Sequence, residues 1–315
     1  MRNVDHATHI PVLLNKVIEY LRCEKGKVFL DCTLGAGGHT GAIADIVCPE
    51  GKVFAIDRDK YAIELAADKL SRFGKCIVFL HGNFAMLNDL LDSVLAPDFD
   101  GILFDLGFSS MQVDDAQRGF SFMHDGALDM RMDSDSALNA SDIVNKSAEE
   151  ELAKILYEYG EERWSKRIAG AIVKYRMRKK IMTTLELAKI VIDAIPFKSR
   201  HGRIHPATRT FQALRIAVNQ ELENIEKALP VAFSRLKKRG RLAVISYHSL
   251  EDKIVKRFFS DFSRGCICPK DIPFCVCGRK PLLRIINRKV ITPDENEIKK
   301  NPRARSAKMR VCEKL

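Results

Sequence analysis

Short apolar segments rich in β-branched residues alternate with amphipathic segments along the first third of this 315-residue chain. The predicted strands are 27–32, 52–56, 76–80 and 101–104. The helices predicted between them are 40–47, 59–71 and 85–95. Strands that alternate with helices are joined by right-handed crossovers and form a parallel sheet covered by helices. The alternation constrains the fold more than any other feature, and it predicts a doubly wound α/β domain.

The alternation stops after Asp105, where a long segment without strand character begins. Its clearest helical patterns are 148–159, 163–177 and 184–194, and a longer amphipathic helix is predicted over 209–229 before strand character returns at 241–246. We therefore expect a helical domain inserted into the sheet domain.

The predicted organisation has three parts: a first part of the sheet domain at 1–112, the inserted helical domain at 113–208, and a second part of the sheet domain at 209–315. Open α/β sheets bind ligands beyond the carboxyl ends of their strands. An insertion after the fourth strand hangs over that edge, so we expect it to recognise the substrate.

The charge of the chain is unevenly distributed. Its 52 Lys and Arg residues exceed its 41 Asp and Glu residues by 11, and residues 253–315 carry this whole excess, with 17 basic and 6 acidic side chains. A second basic stretch runs from Arg163 to Arg215 and includes Arg176, Arg178, Lys179, Lys180, Arg200, Arg203 and Arg209. The distribution favours a polyanionic partner, and the alternative is a solvated surface.

The cysteine content and the hydropathy of the chain indicate its compartment. Nine cysteines are an odd number, and several stand singly in apolar segments, as is typical of reducing compartments. No apolar run is long enough to span a bilayer, and the N-terminus lacks a signal-peptide pattern. These features predict a cytoplasmic protein without membrane contact and without structural disulfides.

A glycine-rich segment, Leu34 to Thr40, follows the first predicted strand. Glycines there let a backbone approach a ligand closely. The dinucleotide fingerprint needs a third glycine where Thr40 stands, and the lysine of a phosphate-binding P-loop is absent. A tight turn without a ligand is the alternative.

Polar side chains also follow the later strands. Asp57 ends the second strand, where an acid can accept hydrogen bonds from ribose hydroxyls. Phe84 follows the third strand and could pack on an adenine, although an aromatic there is also a core candidate. Asp105 ends the fourth strand, and a carboxylate is expensive to bury without a partner. Together these loops favour S-adenosylmethionine as the ligand.

These loops, and most of the chain from His9 to Ser306, resemble the RsmH (MraW) family of bacterial small-subunit rRNA cytosine-N4-methyltransferases. The segments that carry the resemblance are Gly35 to Thr40, Asp105 to Ser110 with Gln112, Arg118 to Phe122, Leu128 to Asp133, Tyr159 to Arg163, His205 to Gln212 and Ser246 to Asp252. The resemblance implies a class I S-adenosylmethionine-dependent methyltransferase with an inserted helical domain.

The resemblance also implies the substrate and the binding residues. The substrate would be a cytidine in the decoding region of small-subunit rRNA, read in the small ribosomal subunit by a monomer or homodimer. The residues that would bind S-adenosyl-L-methionine are Gly37, Gly38, His39, Asp57, Phe84, Asp105 and Gln112.

Methylation at N4 of cytosine requires the amino nitrogen to act as a nucleophile, although its lone pair is delocalised into the ring. A carboxylate or carbonyl that accepts the N4 hydrogens would localise that pair, and Asp105 or a carbonyl of its loop is the first candidate. Transfer would be direct and in line, without a covalent intermediate. His248 either orients the base or relays a proton, or it only caps a helix.

Phosphate and base contacts are predicted at two kinds of side chain. Arg303, Arg305, Lys308 and Arg310 are candidates for phosphate contacts. Three phenylalanines are candidates for stacking on a flipped base, with core packing as the alternative: Phe108, Phe120 and Phe122.

Four cysteines form two C-x-C pairs near the C-terminus, Cys266 with Cys268 and Cys275 with Cys277. Zinc sites usually have C-x₂₋₄-C pairs, so two tighter pairs this close together are cramped. We therefore predict no metal and expect reduced thiols on a basic loop, with zinc as the alternative.

Three other functions compete with RNA methylation. A dinucleotide-dependent oxidoreductase would share the glycine loop and Asp57, and a non-catalytic RNA-binding factor would share the basic regions. A DNA amino-methylase usually has an Asn/Asp-Pro-Pro-aromatic tetrad at the fourth strand, whereas this chain has Asp-Leu-Gly-Phe from Asp105 to Phe108. RNA is therefore the favoured substrate.

Overall fold

The computed structural model of the chain describes residues 11–107, 113, 115–200, 204–266, 268, 274 and 276–315. The chain divides into two compact units, of which one contains residues 1–107 and 222–315 and the other contains residues 108–221. No helix in the described part of the chain is both long and apolar enough to cross a membrane.

The first unit contains a seven-stranded sheet in the order β3-β2-β1-β4-β5-β7-β6. Its strands are β1 Val28–Asp31, β2 Lys52–Asp57, β3 Ile77–His81, β4 Phe99–Asp105, β5 Leu236–Ser246, β6 Leu283–Ile285 and β7 Lys308–Lys314. The first five strands are parallel, β7 is antiparallel to β5, and β6 is antiparallel to β7. The predicted doubly wound, mostly parallel sheet is confirmed.

The helices of the described chain agree with most of the predicted positions. In chain order they are α1 Leu14–Leu21, α2 Gly38–Val47, α3 Lys60–Lys69, α4 Leu87–Ser93, α5 Ala140–Lys146, α6 Glu149–Gly160, α7 Ser165–Arg176, α8 Thr184–Ala194, α9 Thr208–Asn219, α10 Glu221–Ser234, α11 Ser249–Ser263 and α12 Glu295–Lys300.

The sheet is buried on both faces, which explains the nearly continuous apolar sequences of its central strands. Successive residues of a strand point to opposite faces. Accordingly, Leu30 belongs to the apolar cluster that contains Ile225 of α10 and Phe259 of α11. Its neighbour Phe29 belongs to the cluster on the other face, together with Ile43 of α2.

The second unit has its own apolar core, formed by α5 to α9. Leu156 of α6, Ile172 of α7, Val191 of α8 and Leu214 of α9 are fully buried in one cluster. Because α9 contributes to this core, the helical unit extends to residue 221, whereas the sequence placed its end at residue 208.

The predicted long helix over 209–229 is wrong in one respect. Gln220 adopts a left-handed conformation with φ 51° and ends α9 at Asn219, and α10 begins at Glu221. The amphipathic pattern continues across the break, so the sequence pattern did not reveal it.

The prediction of no disulfide is also wrong. Cys48 and Cys76 are disulfide-bonded, with Cα atoms 6.1 Å apart. Cys48 follows α2 directly and Cys76 directly precedes β3, so two cysteines that stand singly in the sequence meet in the fold.

Candidate active site

Three aspartates end neighbouring strands at one edge of the sheet, where the direction of strand order reverses between β1 and β4. Asp31, Asp57 and Asp105 are the last residues of β1, β2 and β4. Thr33 links two of these strand ends, because its Oγ1 accepts a hydrogen bond of 2.7 Å from the amide of Asp105 and its own amide donates to Asp31 Oδ1 at 3.0 Å. A strand-order reversal of this kind is the usual ligand-binding position of open α/β sheets.

The glycine loop between β1 and α2 requires its glycines. Gly37 has φ 75°, and a Cβ atom there would lie 2.8 Å from Cδ1 of Leu70 and 3.3 Å from Cβ of Ala66. At Gly38 a Cβ atom would lie 2.3 Å from Cγ of Pro11. Packing against Leu70, Ala66 and Pro11 therefore requires glycine at both positions, where Gly37 is buried and Gly38 is half-buried. Contact of this loop with a ligand stays a prediction.

Asp57 connects the glycine loop to the end of β2. Its Oδ2 accepts a 2.7 Å hydrogen bond from the amide of Gly35, and its Oδ1 accepts one of 2.9 Å from the amide of Asp59. Burial raises the pKa of the Asp57 carboxyl above its usual value. Each carboxylate oxygen carries a second lone pair, so Asp57 is able to accept hydrogen bonds from a diol such as ribose.

His39 lies on the first turn of α2 among the strand-end acids. It is only 5% exposed, and its Nε2 is 3.4 Å from Oδ2 of Asp105. Burial by itself lowers the pKa of His39, but the neighbouring carboxylates, Asp105 foremost, outweigh burial and raise this pKa above its usual value. His39 therefore forms an ion pair with Asp105 when it is protonated.

Asp31 is the most deeply buried of the three acids. Its Oδ2 accepts a 2.7 Å hydrogen bond from Oγ1 of Thr40, and its side chain is inaccessible to solvent. Burial raises the pKa of this carboxyl. From the sequence, Thr40 was considered only as the residue that stands where a dinucleotide fingerprint has its third glycine, and neither Asp31 nor Thr33 was predicted. Their signal was a carboxylate at the end of an apolar strand and a hydroxyl two residues later.

Asp105 is held by contacts on both of its oxygens. The hydroxyl of Tyr247 donates a 2.8 Å hydrogen bond to Oδ1, and His39 faces Oδ2. Burial and the charge of Asp105 raise the pKa of Tyr247 well above its usual value, so this phenol stays protonated. An ionised carboxylate has about four acceptor positions, and these two contacts among the described residues occupy two. The side chain is 20% exposed, which leaves it reachable by a substrate.

The ring of Tyr247 approaches the backbone that follows Asp105. Gly107 has φ 112°, and a Cβ atom there would lie 3.2 Å from Cδ2 of Tyr247. A larger residue at Gly107 would therefore push away the phenol that donates to Asp105.

Phe84 lies three residues beyond the end of β3, which is His81. The side chain of its neighbour Asn83 accepts a hydrogen bond from the amide of Ala85. Its ring packs edge-on against Phe104 at 5.6 Å, and the residue is half-buried. The side chain thus contributes to the core, and its contact with an adenine stays a prediction.

His248 is the N-cap of α11. Its Nδ1 accepts a hydrogen bond of 3.5 Å from the amide of Glu251, and its Nε2 is 3.2 Å from Oε1 of the same residue. The capping alternative is therefore observed, and a role in orienting the base stays a prediction.

Two predicted residues lie outside the described part of the chain, and one residue near the site was not predicted. Gln112, predicted to bind the cofactor, lies outside the described residues, as does Phe108. Glu297 of α12 was not predicted, yet its charge acts on His39 and Tyr247 and its Oε1 accepts a 2.6 Å hydrogen bond from the amide of Leu13. No local pattern marks Glu297, because its neighbours in the fold lie far away in the sequence.

Several basic residues that the sequence offered for phosphate contact are committed elsewhere. Arg215 is buried and forms two hydrogen bonds of 2.9 Å with Glu221. Arg310 forms bonds of 2.6 and 3.0 Å with Asp252. Arg303 and Arg305 are exposed. The predicted phosphate contact at Arg310 therefore competes with an ion pair.

The raised pKa of His39 predicts a pH-dependent stability. A histidine whose pKa rises on folding stabilises the folded state fully below its unfolded value of 6.5, and this contribution is lost as the pH rises through the folded pKa. We expect His39→Asn to lower the Tm most at acidic pH, with a difference that shrinks towards alkaline pH. Thermal unfolding between about pH 5 and pH 9 measures it.

His81→Asn is the matched control, because His81 is exposed on β3. Its Tm difference from wild type should not follow the same profile. A pH-independent loss in His39→Asn would contradict an ion pair with Asp105.

Comparisons with known proteins place the chain in one family. The profile of the MraW methylase family matches residues 6–315. The ribosomal RNA small subunit methyltransferase H of Pelobacter propionicus is 51% identical, covering 98% of both chains. The protein of the same name from Dehalococcoides mccartyi is 52% identical, covering 98% of this chain and 86% of its own length.

A crystal structure from Streptococcus mutans, described as a methyltransferase in complex with SAH, is similar with a TM-score of 0.45 and 12% identity, covering 98% of this chain and 100% of that one. A similarity this low adds nothing to the strand order already described. The family assignment rests on the family profile and on relatives that are about half identical over nearly the whole chain. The chain belongs to the MraW methylase family.

Proposed function

We propose that this chain transfers the methyl group of S-adenosylmethionine to the exocyclic N4 of a cytidine in small-subunit rRNA. The relatives named small subunit rRNA methyltransferases support the substrate class. The cytidine and its N4 atom rest on the family resemblance. The observation that carries the chemistry is Asp105, a partly exposed carboxylate held at the strand-order reversal by Tyr247 and His39.

S-adenosylmethionine supplies a methyl group already activated on a sulfonium centre. The residues that would hold it are Gly37, Gly38, His39, Asp57, Phe84 and Asp105, with Gln112 from the sequence alone. Asp57 and the glycine loop fit this role because carboxylate oxygens and close backbone stand at the ends of adjacent strands. The protein contributes mainly alignment and exclusion of water.

The nitrogen of a cytosine amino group becomes nucleophilic when its hydrogens are bound by acceptors. Asp105 is placed to accept one of them, because two of its acceptor positions hold Tyr247 and His39 and the rest of the carboxylate is partly exposed. As the N–C bond forms and the S–C bond breaks, N4 loses one proton, which the carboxylate is able to receive. Tyr247 remains neutral and keeps the carboxylate in position.

The helical unit, residues 108–221, is proposed to recognise the rRNA. The exposed Arg303 and Arg305 of the sheet unit are proposed to contact phosphates. Both assignments rest on the charge of these regions and on the family's substrate class.

A methyl-transfer assay tests the proposed function. Purified chain is incubated with methyl-labelled S-adenosylmethionine and small ribosomal subunits that lack the modification, and the labelled nucleoside is identified by mass spectrometry. We expect N4-methylcytidine. Methylation of another nucleoside would overturn the N4 assignment, and labelling of DNA instead of RNA would support the DNA amino-methylase alternative.

Charge reversal tests the proposed phosphate contacts. Arg303→Glu with Arg305→Glu should weaken binding to the small subunit about tenfold and reduce the slope of log affinity against log salt by about 0.7–0.9 per lost contact. Binding of S-adenosylmethionine should not change. Filter binding across a salt series and isothermal titration measure the two quantities.

Lys52→Glu with Lys75→Glu is the matched control, because it makes the same change in net charge at exposed positions. Lys52 begins β2 and Lys75 stands before β3, at the opposite edge of the sheet from Asp57. An equal loss in both double variants would show that only net charge matters and would exclude a local contact.

A further inference from the structure

Three cysteines outside the candidate active site converge between α11 and β6. The Sγ atoms of Cys266, Cys268 and Cys277 all lie within 4.8 Å of one another. Cys266 and Cys277 are exposed, and Cys268 is half-buried. We propose that these three thiolates bind a zinc ion.

The distance between two of the sulfur atoms matches shared coordination. A Zn–S bond of about 2.3 Å in tetrahedral geometry places two sulfur ligands about 3.8 Å apart. The Sγ atoms of Cys266 and Cys277 are 3.8 Å apart. A disulfide would need a separation of about 2.05 Å, so these two sulfurs are arranged as joint ligands and not as a bonded pair.

Backbone amides fix two of the three sulfur atoms. The amide of Cys268 donates to Sγ of Cys266 at 3.4 Å, and the amide of Val276 donates to Sγ of Cys268 at 3.4 Å. Hydrogen bonds to metal ligands orient them and stabilise their negative charge. Arg264 and Arg279 flank the cluster in the sequence, and cations also favour the thiolate form.

The C-x-C spacing argues against zinc only if each pair of cysteines binds the metal by itself. In the structure, Cys266 and Cys277 belong to different pairs, and their Sγ atoms are 3.8 Å apart. Three sulfur ligands leave a fourth position that water is able to fill, and Cys275 lies outside the described residues.

The proposed metal would tie down the connection between α11 and β6. Ser263 ends α11, Leu283 begins β6, and the cysteines lie in the segment between them. Metal binding to a segment that lacks a large core of its own stabilises its folded form directly. This role is structural and independent of methyl transfer.

Metal analysis of the purified full-length chain tests the proposal. Prepared with zinc under a non-chelating reductant, the wild-type chain should contain about one zinc per chain by mass spectrometry. The triple variant Cys266→Ser, Cys268→Ser and Cys277→Ser should lose it. Cys23→Ser should retain it, because burial raises the pKa of the Cys23 thiol to about 12 and keeps it protonated.

Three further measurements separate metal binding from misfolding. Co²⁺ substituted into the wild-type chain should show thiolate charge-transfer absorption, which the triple variant should lack while its affinity for S-adenosylmethionine is unchanged. The single variant Cys268→Ser should release zinc to a chelator at least about tenfold faster than wild type. Chelation should also accelerate proteolysis within residues 264–282 in the wild-type chain, and it should have no such effect in the triple variant.

Three outcomes would overturn the proposal. The first is a wild-type chain that takes up no zinc under reducing conditions. The second is equal zinc content in the triple variant. The third is a disulfide between Cys266 and Cys277 that forms in preference to metal binding when zinc and reductant are both present.

Discussion

Asp105→Asn is expected to lower the rate of methyl transfer by about 10²–10³-fold at saturating S-adenosylmethionine and saturating rRNA substrate. The asparagine oxygen is still able to accept the hydrogen bond from Tyr247 at the position of Oδ1. The amide group then replaces Oδ2 beside His39 and removes the negative charge that would receive the N4 hydrogen. Single-turnover kinetics with labelled cofactor measure this loss.

Asp100→Asn on the same strand is the matched control. Asp100 accepts hydrogen bonds from Lys237 Nζ at 2.7 Å and from the amide of Val28 at 2.9 Å, near the opposite end of β4. The control should retain the wild-type rate, because an ion pair near the surface contributes about 1 kcal/mol or less. An Asp105→Asn chain with the wild-type rate would exclude the carboxylate as the acceptor.

Affinity separates a role in the chemistry from a role in cofactor binding. If Asp105 acts on the substrate amino group and not on the cofactor, its variant should bind S-adenosylmethionine with less than about a tenfold change in Kd. The loss of a hydrogen bond from the cofactor to this carboxylate would cost about 1.5–3 kcal/mol, which is about tenfold or more in Kd. If the affinity for S-adenosylmethionine falls by as much as the rate, Asp105 acts in cofactor binding and not in the methyl-transfer step.

The sheet was predictable because each central strand has a recognisable pattern in its own sequence. The segments predicted at 27–32 and 52–56 correspond to β1 and β2, since a strand covered on both faces is a continuous apolar run. β7 was not predicted, because Lys308, Arg310 and Lys314 interrupt its apolar residues. Its place in the sheet comes from pairing with β5, a partner more than sixty residues away, which no local pattern reveals.

The candidate site was predictable only in part, for the same reason. Strand-end positions of Asp57 and Asp105 follow from the alternation, because the C-terminal ends of parallel strands share one edge. The contact between Tyr247 and Asp105 joins two strand ends that are separated by 142 residues, and it depends on β4 and β5 being neighbours. The 3.8 Å distance between Sγ of Cys266 and Sγ of Cys277 likewise joins residues that are 11 positions apart in the sequence, and no local pattern reveals it.

Asp57→Asn is expected to weaken the binding of S-adenosylmethionine by about 10²–10³-fold, equivalent to about 3–4 kcal/mol. Both oxygens of Asp57 accept backbone amide hydrogens, from Gly35 and from Asp59. An asparagine amide group must therefore face one of these donors with a donor of its own, which disturbs the glycine loop as well as the proposed ribose contact. Isothermal titration measures the change in Kd.

Asp45→Asn is the control for Asp57→Asn, because it removes the same charge from an exposed position of α2 where the partner is Arg72. Its affinity for S-adenosylmethionine should equal that of wild type. The Tm of Asp57→Asn without cofactor reports the damage to the glycine loop alone, and the cofactor-induced rise in Tm reports binding. If Asp57→Asn binds S-adenosylmethionine with wild-type affinity, the carboxylate has no role in cofactor binding. If the variant is folded but its Tm no longer rises on addition of the cofactor, the carboxylate binds the cofactor.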